Sequence, residues 1–168
     1  FHRVAVQHGL IPHEVATDKQ AVRDYLRAEG RNDEWTELQG SVYGTAMSQA
    51  QPFPGALDFL AIAATHDCDL FVISHRTQYP YAGPKHDLHE AARNWLAEHA
   101  QGLDQPHVFF EQTLEAKLQR IATQRCDVFI DDLPELLLHE QFPQNVDRIC
   151  FDPINRCSDT EVECVANW

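Results

Sequence analysis

Asp131 and Asp132 are adjacent carboxylates closing Val128-Phe129-Ile130, a β-branched and aromatic run that reads as a buried strand. Pro134 follows closely and stops that strand. The carboxyl end of a parallel strand is where open α/β sheets bind ligands. Two carboxylates so close repel unless a cation or a shared proton offsets them. Oxygen ligands of this kind suit Mg²⁺. The same residues also read as a strand-to-helix turn in which Asp132 caps a helix beginning at Pro134. Glu135 is either a further acidic partner or a first-turn acid stabilising that helix.

Two more residues have the chemistry for an oxyanion. Ser74 ends the hydrophobic run Leu70-Phe71-Val72-Ile73. Its hydroxyl, together with backbone N–H groups at that turn, can hold a phosphate oxygen. His75 and Arg76 follow directly and are candidate substrate contacts, or plain loop residues. Lys117 sits in the first turns of a helix that Thr113 caps. A cation there works against the helix dipole, which suits an anion receptor better than helix stability, and a solvated lysine is the other reading.

The elements that must position these residues follow from periodicity. Residues 1–50 read as helices with no strand. Thr17-Asp18 offers an N-cap before the helix-spaced Ala21, Val22, Tyr25 and Leu26, and Gly30 stops that helix. A further helix from about Asn32 carries Trp35, Leu38 and Val42. Trp35 and Tyr43 are candidates for the core of this helical segment or for a pocket lining. Pro52-Phe53-Pro54-Gly55 is the sharpest break. After it, Leu57, Leu60, Ala61 and Ala64 form one apolar helical face. Strands ending at Ser74, at Phe110, at Ile130 and over Ile149-Cys150-Phe151 then alternate with helices over 88–99, 113–124 and 135–138. That βαβαβαβ order predicts an α/β fold: a three-layer, Rossmann-like parallel sheet with helices on both faces, plus a small all-helical cap. The domain division expected is a cap over 1–51, a core over 52–153, and a weakly patterned tail over 154–168.

The chain has 168 residues, enough for a proper core, and 43% of them are hydrophobic. Its 13 basic and 26 acidic residues give a net charge of −13. That balance speaks against a general nucleic-acid surface, and a phosphorylated substrate would need local cations. No apolar run reaches the roughly 20 residues of a membrane span. The five cysteines are odd in number and include no Cys-x-x-Cys pair, which points to a reducing, cytoplasmic setting without a disulfide framework. The even spacing of Cys150, Cys157 and Cys164 crosses a strand and the Pro153 turn and reads as chance.

Ser74, Lys117 and Phe129-Ile130-Asp131-Asp132, in this order on successive strand–helix units, resemble the haloacid dehalogenase-like (HAD) hydrolase superfamily. Ser74 is similar to that family's second motif, Lys117 to its third, and Asp131-Asp132 to its fourth. Pro52-Phe53-Pro54-Gly55-Ala56-Leu57 resembles the return into the core after a cap, so residues 1–50 would be a helical cap. The resemblance covers residues 1–153 and implies a Mg²⁺-dependent phosphohydrolase for a small phosphorylated metabolite or nucleotide. The Ile-Asp-Asp-Leu-Pro-Glu run is also similar to the deoxyribonucleotidase branch. By the same resemblance, Asp131 or Asp132 would hold Mg²⁺, and Ser74 and Lys117 would bind phosphoryl oxygens.

The family's nucleophile motif, a hydrophobic strand ending Asp-x-Asp, is missing from this chain; the resemblance places it upstream of Phe1. It is central to the family's sheet, so its neighbours would otherwise expose unpaired backbone. Asp67-Cys68-Asp69 precedes its strand rather than following it and reads as a solvated turn. The alternative is a non-catalytic HAD-like binding or regulatory domain. Dehalogenation is a third possibility, and the acid pair favours the metal users.

Overall fold

The helices of the N-terminal third form because their apolar residues recur at helical spacing, and one of them is capped at both ends. In the computed structural model, which describes residues 1–66, 68–100, 103, 107–155 and 161–168, α1 is His2–Gln7, α2 Lys19–Ala28 and α3 Asn32–Tyr43. The Asp18 side chain accepts a hydrogen bond from the Ala21 N–H at 3.0 Å, which caps α2 as expected. Gly30 ends it in the left-handed conformation (φ 71°), its N–H donating to the Arg27 carbonyl while Arg31 donates to Leu26. Val22 and Leu26 have no exposed surface, and they pack with Val4, Ala5, Ile11, Trp35 and Leu38 in one core.

The chain divides into two compact units: Phe1–Gln51 with Thr77–Glu98, and Pro52–Arg76 with His99–Trp168. All described elements of the first unit are helical, and they include most of α5 (Leu88–His99). Residues 77–98 join this unit through close packing on α3. A Cβ added to Gly40 would stand 2.8 Å from the Pro80 Cβ, so only glycine permits that approach. The Trp95 indole N–H also donates to the Ala50 carbonyl at 2.9 Å.

The second unit is mixed α/β. Strand β1 (Val72–His75) pairs in parallel with β2 (Val108–Glu111), with Ser74 opposite Phe110. Strand β3 (Val128–Asp131) pairs in parallel with β4 (Asp147–Phe151), which pairs in parallel with β5 (Glu163–Val165). The helices α4 (Ala56–Thr65), α6 (Leu114–Gln124) and α7 (Pro134–Leu137) complete it. Ile73, Leu118, Ile121, Phe129, Leu136, Leu137, Phe142 and Cys150 share one core, so both sheets rest on the same apolar interior.

Three features differ from the sequence expectation. Among the described residues the strands form a two-stranded and a three-stranded sheet, with β1 and β3 each pairing on one side only. The helix at 56–65 forms, but none of its residues is buried, and Phe59 and Ile62 stand exposed. The tail contributes a strand, β5, and its terminal Trp168 packs against Phe59 and Phe151 with ring centroids 5.2 Å apart in each pair. Phe53 stacks edge-on against Phe151 at 4.9 Å. Asp67, Cys157 and the rest of segment 156–160 lie outside the described residues.

Candidate functional site

Lys117 and Asp131 meet. The chain reverses between α6 and β3 at Arg125, which closes the helix in the left-handed conformation (φ 52°). Thr113 starts α6 by accepting the Ala116 N–H at 3.1 Å, as its position predicts. This places Lys117 on the buried face of α6, beside Leu118 and Ile121. Its Nζ lies 2.5 Å from Asp131 Oδ2, at the carboxyl end of β3, and 5.4 Å from the centre of the Phe129 ring. The two side chains retain only 7% and 10% of their surface, so this is a buried, charge-assisted hydrogen bond.

The second oxygen of Asp131 is also engaged. Oδ1 accepts the Leu133 N–H at 3.0 Å, bracing the turn into α7. The cap expected from Asp132 is not formed: Leu133 is the N-cap of α7, with no side-chain cap bond. The reason is local, since the aspartate one residue earlier already holds the turn amide through its own side chain. Asp132 and Glu135 point to exposed positions.

Ser74, His75 and Arg76 cluster at the matching end of β1 and are tied to the end of β2. Ser74 is half-buried. His75 Nε2 stands 3.1 Å from the Gln112 carbonyl, which it reaches as a donor in the Nε2–H tautomer. The Arg76 N–H donates to the Glu111 carbonyl at 2.8 Å, and its guanidinium lies 5.9 Å from the Phe110 ring centre. No hydrogen bond or ion pair among the described residues joins Ser74 to the Lys117–Asp131 pair.

Two groups at this end of the strands escaped the sequence reading. Glu111, the last residue of β2, accepts from Arg120 Nε at 2.8 Å, and the Arg120 guanidinium lies 4.4 Å from the Phe109 ring centre. The signal was available, because Glu111 closes β2 as His75 closes β1 and Asp131 closes β3. Glu115 is the other. Its own backbone N–H and then the Thr113 hydroxyl hold its carboxyl below the usual range, with His139 and His75 adding smaller attractions. In the helical unit, Trp35 is core, whereas Tyr43 lines a concavity with Phe1, Val42 and Met47.

Among the described residues no group of three or more His, Cys, Asp or Glu is disposed to hold a metal. Mg²⁺ does not require such a cage; it keeps several waters and binds through one or two carboxylates plus substrate phosphate. The Asp131-Asp132 donor chemistry fits that manner of binding and no closed protein site.

The chain matches no family model and no curated protein at a significant level. What the fold defines is its class: a mixed α/β protein with short parallel sheets and no described helix long and apolar enough to cross a membrane.

Proposed function

We propose that this chain is the core and helical cap of a Mg²⁺-dependent phosphohydrolase of the HAD type, acting in the cytoplasm on a small phosphorylated metabolite or nucleotide. The observation that carries the reading is the buried Lys117–Asp131 ion pair at the carboxyl end of a parallel strand. Burying two charges costs several kcal/mol each, roughly what their attraction returns, so stability alone gives little reason for the pair. Function gives one, since a phosphoryl group needs a fixed cation and a fixed acid close together.

In this reading the Lys117 ammonium and the Ser74 hydroxyl bind phosphoryl oxygens, with His75 and Arg76 contacting the remainder of the substrate. Asp131 orients Lys117. Mg²⁺, held through Asp131 or Asp132, would neutralise phosphate charge when bound. The attacking carboxylate would belong to a segment upstream of Phe1. It would displace the substrate's alkoxide from phosphorus, and water would then hydrolyse the aspartyl-phosphate. The finer fold proposed with it is a single three-layer, Rossmann-like sheet capped by the helices of residues 1–51. The one-sided pairing of β1 and β3 supports such an additional strand.

A second reading, a non-catalytic HAD-like binding or regulatory domain, is favoured by one observation. Both Asp131 oxygens already have partners within the chain.

Phosphate release from p-nitrophenyl phosphate by the natural full-length protein separates the two. The hydrolase requires Mg²⁺-dependent turnover that EDTA removes and that the double substitution Asp131→Asn, Asp132→Asn lowers at least about 100-fold, as expected for losing a transition-state contact. No turnover under any metal condition establishes the binding domain instead. Turnover indifferent to both treatments sinks the proposed site.

A further inference from the structure

Cys150 and Cys164 are register partners on the adjacent parallel strands β4 and β5. Neighbouring strands lie about 4.8 Å apart, within the roughly 4.4–6.8 Å Cα separation that a disulfide spans. Register partners of a parallel pair stand on the same face of the ladder, so the two side chains are neighbours across it. Their exposures differ sharply. Cys150 has no exposed surface, whereas Cys164, on the edge strand, is exposed and has its thiol 3.4 Å from the Val162 carbonyl. One thiol is reachable by a small oxidant, and its register partner is enclosed.

We propose that Cys150 and Cys164 form a reversible disulfide under hydroperoxide, making β5 a redox-fastened strand. With hydrogen peroxide as the oxidant, the Cys164 sulfur attacks one peroxide oxygen, the O–O bond breaks, and a sulfenic acid forms as the thiol's proton and the departing hydroxide leave as water. The Cys150 thiol then attacks that sulfur, the S–O bond breaks, and the thiol's proton leaves with the hydroxyl as a second water as the S–S bond forms. Two thiols are oxidised and one hydroperoxide is reduced. A transient bridge of this kind accords with a reducing compartment, where lasting structural disulfides are rare. The other described thiols are placed differently: Cys68 is exposed on the segment before β1 and Cys126 is half-buried before β3, and neither is in register with a second cysteine. Cys150 is also in register with Asp131, so the bridge would form one strand away from that carboxylate. The inference does not depend on the hydrolase reading.

The test is mild hydrogen peroxide on the folded chain, followed by alkylation, digestion and mass spectrometry. The expected result is a peptide pair crosslinked between Cys150 and Cys164, loss of two of the five thiols, and recovery of both with dithiothreitol. Cys157→Ser keeps the crosslink, and the exposed Cys164→Ser abolishes it. The oxidised chain melts higher than the reduced one and resists cleavage after Phe151. Overoxidation of Cys164 without a bridge overturns the proposal. So does a bridge made by Cys157 or Cys126, or one between two molecules.

Discussion

Asp87 in the helical unit and Asp131 in the sheet unit are held by the same pattern of bonds. Asp87 Oδ2 accepts from the Gln78 side-chain amide at 2.9 Å, and its Oδ1 accepts the Glu90 N–H at 2.9 Å. Asp131 Oδ2 accepts from Lys117, and its Oδ1 accepts the Leu133 N–H. The partner's charge separates them. A neutral amide and a helix N–H make Asp87 a cap, whose whole effect is to start α5 and pin the loop before it. At Asp131 the chain has buried an ammonium against the carboxylate, an arrangement that yields little net stability and a great deal of local field. The same bonding pattern therefore marks a structural acid in one region and a candidate site in the other.

Removing one charge from the sheet unit is the most disruptive way to break this comparison. Lys117→Met leaves the Asp131 carboxylate unpaired with 10% of its side chain exposed. The loss should be about 3–5 kcal/mol in urea unfolding, as for other buried pairs broken on one side. Lys117→Met combined with Asp131→Leu should regain most of that, since two apolar side chains leave no orphaned charge. A cost under about 1 kcal/mol for the single change would mean the pair is hydrated like a surface bridge.

Much of this architecture was legible. Asp18, Gly30 and Thr113 marked helix ends because capping is a local matter between a side chain and amides a few residues away. The strands at 72–75, 108–111 and 128–131 are visible as short apolar runs, and the polar residues closing the first and third of those runs supply site candidates. Ser74, Lys117 and Asp131 stand out in the sequence by their chemistry and position. What the sequence concealed was pairing. Lys117 reads from sequence as a receptor for a ligand's anion, yet its nearest anion is Asp131, because only the fold brings α6 back over β3. Strand β5 was hidden for the same reason: Glu163-Cys164-Val165 becomes a strand by bonding to β4, with little pattern of its own. The grouping of residues 77–98 with the helical unit depends on Pro80 fitting the notch at Gly40, a contact between distant positions.

The two units also differ in how they treat apolar helices. Both α2 and α4 have ten residues, and α4 is much the more apolar, yet α2 buries Val22 and Leu26 completely while α4 buries nothing. Burial follows segregation onto one face and a partner to receive it, not average hydrophobicity. Leu26→Ala should therefore cost about 2–5 kcal/mol of unfolding free energy through lost transfer and a residual cavity. Ile62→Ala, at 59% exposure, should stay within about 0.5 kcal/mol. Equal losses at the two positions would show that α4 is covered in solution.

Asp87 supplies the gentlest test. Its carboxyl is held below the usual range, first by the Gln78 amide and then by the Glu90 N–H. With a lowered folded-state value, its contribution is complete above the unfolded carboxylate value of about 3.9 and is lost as pH falls through the folded one. Asp87→Ala should cost about 1 kcal/mol at neutral pH, the usual penalty for removing a helix cap. Asp87→Asn keeps an acceptor oxygen but no charge, so it should retain most of the cap and lose that portion of the acid dependence. Comparing urea midpoints of the three chains from neutral pH down to about pH 3 measures both effects. Parallel curves for the native chain and Asp87→Asn would mean that the carboxylate charge contributes nothing, leaving Asp87 a neutral acceptor and widening its contrast with Asp131.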